Sequence, residues 1–538
     1  MLDAGYWMLD PPTRPEFMSC SESSDNHPAS SIEHPASGGW VGGICYPAFR
    51  MNGGRIFPRV VASVLLLAAV SEIAHSGEEE SLQELVTRVG RARWTIDNSI
   101  TLLADPREAW QARVDLTRSA RHHVFISTFS WHNDTSGKAF RDILIDSLQQ
   151  RKAEGIDLNI RVLVDASALF AFSRMFTSLE KTGARVRGFN RSTWGLTALY
   201  DGRMHDKIFI ADGRTAILSG RNFSDDYYDF DNWWLDLGVQ VEGSSVEDLQ
   251  MIFLKSWEFT EFNRKAGRFL LPQEMLLHEL QVFWRTGRFP NGNSPIEKFV
   301  NENYFPGRTE APGSVPVAVL YDNPFMRRRA ASTDLLVALA DRAKDRIDLM
   351  TPFPNFEPPL TDALVSALER GVKVRLFTNS REAAIRSGPF LLAGYPTLIR
   401  LIEAGAEVWT WRGIFDLLHQ IEESGCRPEL MPPSALHGKM MLVDDELSIV
   451  HSSNFNIRST YYNTEAGLAI HDRGFNQDLT ELLAELIDFH DVEMDCGNGN
   501  GSPSIPELVS LLGPDDVSWM REELGGKQGF LDAWGVTW

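Results

Sequence analysis

MHDKIFIAD, Met204–Asp212, returns 232 residues later as LHGKMMLVD, Leu436–Asp444. Both copies read His-x-Lys-x4-Asp: His205, Lys207 and Asp212 in one, His437, Lys439 and Asp444 in the other. Apolar residues surround each pair in a short run, which reads as a β-strand. Residues two apart on a strand project to one face, so each His stands beside its Lys. Such a pair suits an anionic ester. The ammonium holds phosphate charge, and the imidazole attacks phosphorus or moves a proton near neutral pH. One His beside a Lys is ordinarily a solvated or core position; two copies with identical spacing are not.

The next residues extend the repeat. Six residues after Asp212 comes SGRN, Ser219–Asn222, and six after Asp444 comes HSSN, His451–Asn454. Small residues let the backbone turn closely around a bound group, and the amides of Asn222 and Asn454 can donate to a phosphoryl oxygen. With these elements the chain resembles the phospholipase D superfamily, whose repeated motif is HxKxxxxDxxxxxxGSxN. The continuations NFNIRSTYYNTE (454–465) and GRNFSDDYYDF (220–230) are similar to bacterial cardiolipin synthases, and the likeness covers about residues 98–472. Two departures stand out. Ser219-Gly220 replaces the usual Gly-Ser, and His451 puts a bulky ring where the family has Gly.

The resemblance implies a phosphohistidine mechanism in which one His attacks phosphorus. The other protonates the departing alcohol and then deprotonates the acceptor. Because each motif offers one His and the reaction needs two, both half-sites are expected in one active site. The resemblance favours His205 as nucleophile and His437 as acid. Glu465, at the family's NxE position, is expected to orient His437, and Asp236 to orient His205, with Asp229 and Asp231 near enough to compete. Asp212 and Asp444 are expected to hold the turn or the Lys. Lys207, Lys439, Asn222 and Asn454 would carry the charge stabilisation a metal otherwise supplies, so no metal or cofactor is expected.

Each motif closes a larger repeat. ARHHVFISTF (120–129), GIDLNIRVLVDAS (155–167) and GARVRGFN (183–190) read as strands in the first half. AKDRIDLMTPF (343–353), GVKVRLFTNS (371–380) and GAEVWTW (405–411) are their counterparts in the second. Amphipathic stretches such as FRDILIDSLQQRKAE separate them at helical spacing. Strand, helix, strand, helix, strand and motif strand, twice over, predict an α/β protein: two similar phospholipase D-like units with mixed sheets around one shared active site. The first half spans 77–242 and the second 317–495. Between them, 243–316 reads as a connector or insert, and 496–538 as a C-terminal tail. From strand glycine to motif histidine the second half needs 32 residues (Gly405 to His437) against 22 in the first (Gly183 to His205). The excess falls in DLLHQIEESGCRPELMPP, read as a polar loop whose His419 is outside the site.

Ahead of both halves, MNGGRIFPRVVASVLLLAAVSEIAHS (51–76) has basic residues, an apolar run and a small-x-small end, the order of a secretory signal. That run is short for a membrane span. Met51 is the expected initiator, with 1–50 a disordered extension or mis-assigned start, and the enzyme is expected to be exported, periplasmic or membrane-associated. Formal net charge is −21, and −18 without residues 1–76, which carry four basic and seven acidic residues. A chain this acidic disfavours nucleic acid as a partner, since phosphate contacts supply most of that affinity. It should meet a phospholipid surface through apolar groups, as a monomer carrying both half-sites. A cardiolipin synthase-like phosphatidyl transfer is the leading expectation. Head-group hydrolysis and a nucleic-acid phosphodiesterase are the alternatives. Cys426 and Cys496 form the one even pair available for a disulfide after residue 76.

Overall fold

The computed structural model describes residues 80–189, 202–265, 302–304, 311–324, 329–383, 388–428, 431–489, 494–495 and 508–533. The signal-like segment, its upstream extension and most of the insert between the halves lie outside these residues. Within Ser81–Trp538, a single compact unit, the first half contains α1 (Leu82–Arg88), β1 (Trp94–Leu103), α2 (Pro106–Ser119), β2 (His123–Thr128), α3 (Thr135–Ala153), β3 (Asn159–Asp165), α4 (Ala166–Thr182) and β4 (Arg185–Phe189). Its motif region follows as β5 (Arg203–Met204), β6 (Ile208–Ala211), β7 (Thr215–Ser219), α5 (Asp225–Tyr228), β8 (Trp234–Leu235), β9 (Gly238–Glu242) and α6 (Ser245–Lys265).

The second half repeats the order with β10 (Val315–Asp322), α7 (Ala331–Arg342), β11 (Arg346–Met350), α8 (Pro358–Glu369), β12 (Lys373–Asn379), α9 (Gly388–Glu403) and β13 (Glu407–Trp411). An added helix, α10 (Phe415–Ser424), and β14 (Arg427–Pro428) precede its motif strands β15 (Ala435–Leu436), β16 (Met440–Val443) and β17 (Leu447–His451). Then come α11 (Ile457–Tyr461), β18 (Asn463–His471), α12 (Arg473–Ile487), β19 (Met494–Asp495), β20 (Val509–Leu511) and α13 (Pro514–Ala533).

Local chemistry sets these boundaries. Asp105 caps α2 by accepting the N–H groups of Arg107 and Glu108, with Pro106 in the first turn. β2, β3 and β4 pair in parallel, as do β11, β12 and β13. Their near-continuous apolar runs are what a strand covered on both faces requires.

The mixed sheets expected of the two halves are both present, joined edge to edge. β1 pairs antiparallel with β10, and from that seam the halves run outward in matching order: β9-β7-β6-β2-β3-β4 on one side, β18-β17-β16-β11-β12-β13 on the other. Three segments outside the repeated order carry structure of their own. Within the insert, α6 has Val246, Leu249, Phe253 and Trp257 buried in the core facing the first half's motif strands. The stretch expected as a polar loop begins inside α10, because Leu417 and Ile421 lie one turn apart on the same helical face and pack inward. The expected tail supplies β20, which pairs with β13, and α13, which packs on α9.

Asp212 and Asp444 close the hairpins β6–β7 and β16–β17 in the left-handed region (φ 53° and 51°), which Asp tolerates better than most residues. Their carboxylates accept N–H groups from Arg121, His122 and His123, and from Lys344, Asp345 and Arg346. Each motif Asp thus ties its hairpin to the start of the neighbouring strand. It stands five residues from the motif Lys, roughly 16 Å down the strand at about 3.3 Å per residue.

Candidate active site

Two-residue strands bring the halves together. β5, just before His205, pairs in parallel with the start of β18 in the other half, Arg203 against Asn463 and Met204 against Thr464. His205 N–H then donates to Thr464 O at 3.0 Å. β15, just before His437, pairs in the same way with β8, and His437 N–H donates to Leu235 O at 2.6 Å. The next residue on β18 is Glu465, and the next after β8 is Asp236. Each acid therefore faces the histidine of the opposite half.

Both oxygens of Glu465 lie 3.0 Å from His205 Nδ1. Asp236 Oδ2 lies 2.5 Å from His437 Nδ1. The expected pairing, Glu465 with His437 and Asp236 with His205, is thus reversed, because the strands that carry the acids begin alongside the other half. Asp229 and Asp231 are exposed; Asp231 pairs with Arg427 instead. Both orienting carboxylates are fully buried. Ser452 Oγ and Asn463 Nδ2 also donate to Glu465. Gly220, which follows Ser219, is required: a Cβ there would sit 2.3 Å from Asp236 Oδ1.

Lys207 and Lys439 are buried beside their histidines. Lys207 Nζ donates to His205 O at 2.6 Å, and Lys439 Nζ lies against both ring nitrogens of His437, 2.5 Å from Nδ1 and 3.1 Å from Nε2, and 3.7 Å from Asp236. Asn222 accepts Ser130 N–H and donates to Tyr227 Oη, which reaches 3.5 Å from His437 Nδ1. Asn454 Oδ1 is buried with no hydrogen-bond partner among the described residues.

Burial shapes the electrostatics. It pulls His205 down to about 4 and His437 to about 3, so both rings are neutral at physiological pH. It also lowers Lys207 to about 7 and Lys439 to about 8. Burial would raise the acids, but Lys439 and His437 outweigh it and bring Asp236 to about 2. His205 and Lys207 likewise hold Glu465 far below the carboxylate range. With Nδ1–H donated to Glu465, His205 Nε2 carries a lone pair that no described side chain engages.

Several neighbours escaped the sequence reading. Phe129 packs edge-on against His205 at 5.3 Å, and Tyr227 and Trp234 flank His437 at 5.3 and 5.6 Å. Tyr227 and Trp234 lie within 15 residues of Asn222, but nothing in their spacing marks them. His451 is buried; its Nδ1 accepts Ser453 N–H, and its ring covers Gly467, where a Cβ would meet it at 2.0 Å. The tight turn is therefore kept by a glycine on the facing strand. His419 is exposed beside Glu423, outside the site. Cys426 is disulfide-bonded. The expected partner, Cys496, lies outside the described residues; Asp495 before it pairs with Arg427.

The family described as "Cardiolipin synthase, PLD-like domain" matches residues 114–257 and 336–487, more than half of the chain. Cardiolipin synthase A of Pseudomonas putida (strain W619) is 24% identical over 421 residues, covering 77% of this chain and 74% of its own. The cardiolipin synthase of Alkalihalophilus pseudofirmus is 22% identical over 417 residues, covering 76% and 70%. In fold, the chain is similar to the phosphatidylserine synthase of Haemophilus influenzae Rd KW20, with a TM-score of 0.52 at 17% identity over 83% of this chain and 98% of that one.

Proposed function

This chain belongs to the cardiolipin synthase, phospholipase D-like domain family, and on that premise we propose that it transfers a phosphatidyl group between alcohols through a phosphohistidine. The carrying observation is the exchanged pair of His–carboxylate contacts, Glu465 on His205 and Asp236 on His437, with a buried Lys beside each ring.

His205 Nε2 attacks the phosphodiester phosphorus, forming the P–N bond as the P–O bond to the departing alcohol breaks. Glu465 accepts the Nδ1–H bond and stabilises the positive charge that grows on the ring. His437, oriented by Asp236, delivers a proton to the leaving oxygen. Binding of the anionic diester supplies the negative charge that raises His437 and the two lysines from their depressed values. In the second step His437 takes the acceptor's hydroxyl proton, the acceptor oxygen attacks phosphorus, and His205 leaves. Lys207, Lys439, Asn222 and Asn454 serve the charge on the non-bridging oxygens. The lone pair left free on His205 Nε2, where Lys439 Nζ crowds both ring nitrogens of His437, supports His205 as the nucleophile.

The substrate is a membrane phospholipid and the product cardiolipin or a related phospholipid. The test sets phosphatidylglycerol vesicles, with and without phosphatidylethanolamine, against single- and double-stranded DNA at equal phosphate, all in EDTA, with products read by mass. A new diphosphatidyl or exchanged lipid is the expected product. DNA cleavage without lipid turnover would overturn the reading, and phosphatidic acid alone would replace transfer by hydrolysis.

A further inference from the structure

α10 occupies the extra length that separates strand glycine from motif histidine in the second half, 32 residues against 22. Its inner face is anchored. Leu417 is buried, and Ile421 packs into the core that also holds Trp411. Gly425 ends the helix at φ 71°, and the next residue, Cys426, is disulfide-bonded. The outer face is bare: Phe415 is 70% exposed and Leu418, one turn on, 39% exposed. The helix also springs from the site. At Gly413 a Cβ would sit 2.9 Å from Ser434 O, three residues before His437. Tyr461, seven residues beyond Asn454, is 37% exposed as well.

A rigid helix that holds two large apolar side chains in solvent is built to bury them elsewhere. Its polar residues say where. Asp416, His419, Gln420, Glu422 and Glu423 include no Lys or Arg, so attraction to an anionic surface is not the driving force. That leaves apolar insertion into a surface of low charge.

We propose that α10 seats the enzyme on a zwitterionic phospholipid bilayer, with Phe415 and Leu418 entering the boundary between headgroups and acyl chains. The proposal rests on the phospholipid reading of the site, since such a substrate has to be drawn from a bilayer.

The experiment compares the full chain, Phe415→Ser/Leu418→Ser and, as a control, Leu511→Ser, which removes a 52% exposed leucine on β20. Each is floated with phosphatidylethanolamine vesicles containing a minor fraction of phosphatidylglycerol. Each is also assayed on those vesicles and on short-chain phosphatidylglycerol below its micellar concentration. The double variant should lose at least about tenfold in vesicle binding, given the apolar area withdrawn, and a similar factor in vesicle turnover. Its rate on monomeric lipid, and all properties of Leu511→Ser, should match the parent. Unchanged vesicle binding would overturn the proposal, as would an equal loss on both substrates. A parent dimer that the double variant converts to monomer would assign the patch to a second copy instead. If the parent turns over no lipid, the functional reading fails, and flotation still decides the role of α10.

Discussion

Replacing Glu465 by Gln should cripple chemistry at His205, in the other half of the chain. The carboxylate is fully buried and meets Nδ1 with both oxygens at 3.0 Å. Losing one hydrogen bond to a charged group costs about 1.5–3 kcal/mol. The amide does further harm. Its N–H, facing Nδ1, draws the lone pair there and leaves the ring proton on Nε2, the atom that must attack. Wrong-tautomer changes of this kind cost about 10⁴ in kcat, or about 5 kcal/mol at about 1.4 kcal/mol per decade. The assay follows phosphoenzyme formation with a natural phospholipid and with a p-nitrophenyl phosphodiester, whose leaving group needs no acid. Glu465→Gln should behave as His205→Ala on both substrates, with no phosphoenzyme. Asp236→Asn should behave as His437→Ala, recovering the first step with the activated ester. The comparison holds whichever ring attacks, because it asks only which acid follows which histidine. Glu465→Gln tracking His437→Ala would refute the exchanged pairing.

His205→Ala and His437→Ala should each abolish turnover of natural lipid while thermal unfolding stays cooperative. The double variant should be no worse, since nucleophile and acid act as a unit; more than about a tenth of parental rate in either single variant removes that histidine from the mechanism. kcat/KM should fall below about pH 4, where His205 becomes protonated, and again above pH 7 to 8, where the buried Lys207 (about 7) and Lys439 (about 8) lose charge. Stability should move the other way on the alkaline side. Both lysines bind fewer protons folded than unfolded, so unfolding free energy rises with pH from their folded values toward the ordinary lysine range; a flat kcat/KM to pH 9 would tell against this assignment. Turnover should persist in EDTA, and its loss there would tell against charge stabilisation by Lys and Asn. Gly467→Ala should destabilise the fold by about 1–3 kcal/mol through overpacking against His451, and His451→Ser should relieve most of that cost in urea unfolding.

What was legible in the chain was what repeats locally. His205, Lys207, Asp212 and Asn222 lie within one hairpin, so their spacing is the geometry, and the same holds for His437 to Asn454. The alternation of apolar strands with amphipathic helices located both halves for the same reason. What escaped depends on partners distant in sequence. β5, β8 and β15 are two residues long, too short for any periodicity to announce them, yet their pairing decides which histidine each acid serves. His451 looked too large for its turn because the glycine that admits it lies sixteen residues on, across a strand pair. α10 did carry a helical pattern in Ile414, Leu417 and Ile421, but the neighbouring Gly and Pro residues made the stretch read as loop.

The exchange of acids gives the duplication a physical purpose. In a half taken alone, the motif histidine would meet no carboxylate at Nδ1, since its acid is delivered by the first residues of a strand belonging to the other half. Its lysine, buried at a cost that the opposite half's acid helps to offset, would lose its largest counter-charge, Glu465 for Lys207 and Asp236 for Lys439. The β1–β10 seam therefore does more than enlarge the core. By fixing the register of Trp94 against Ala318, it joins the two halves whose strand ends set each imidazole against its carboxylate.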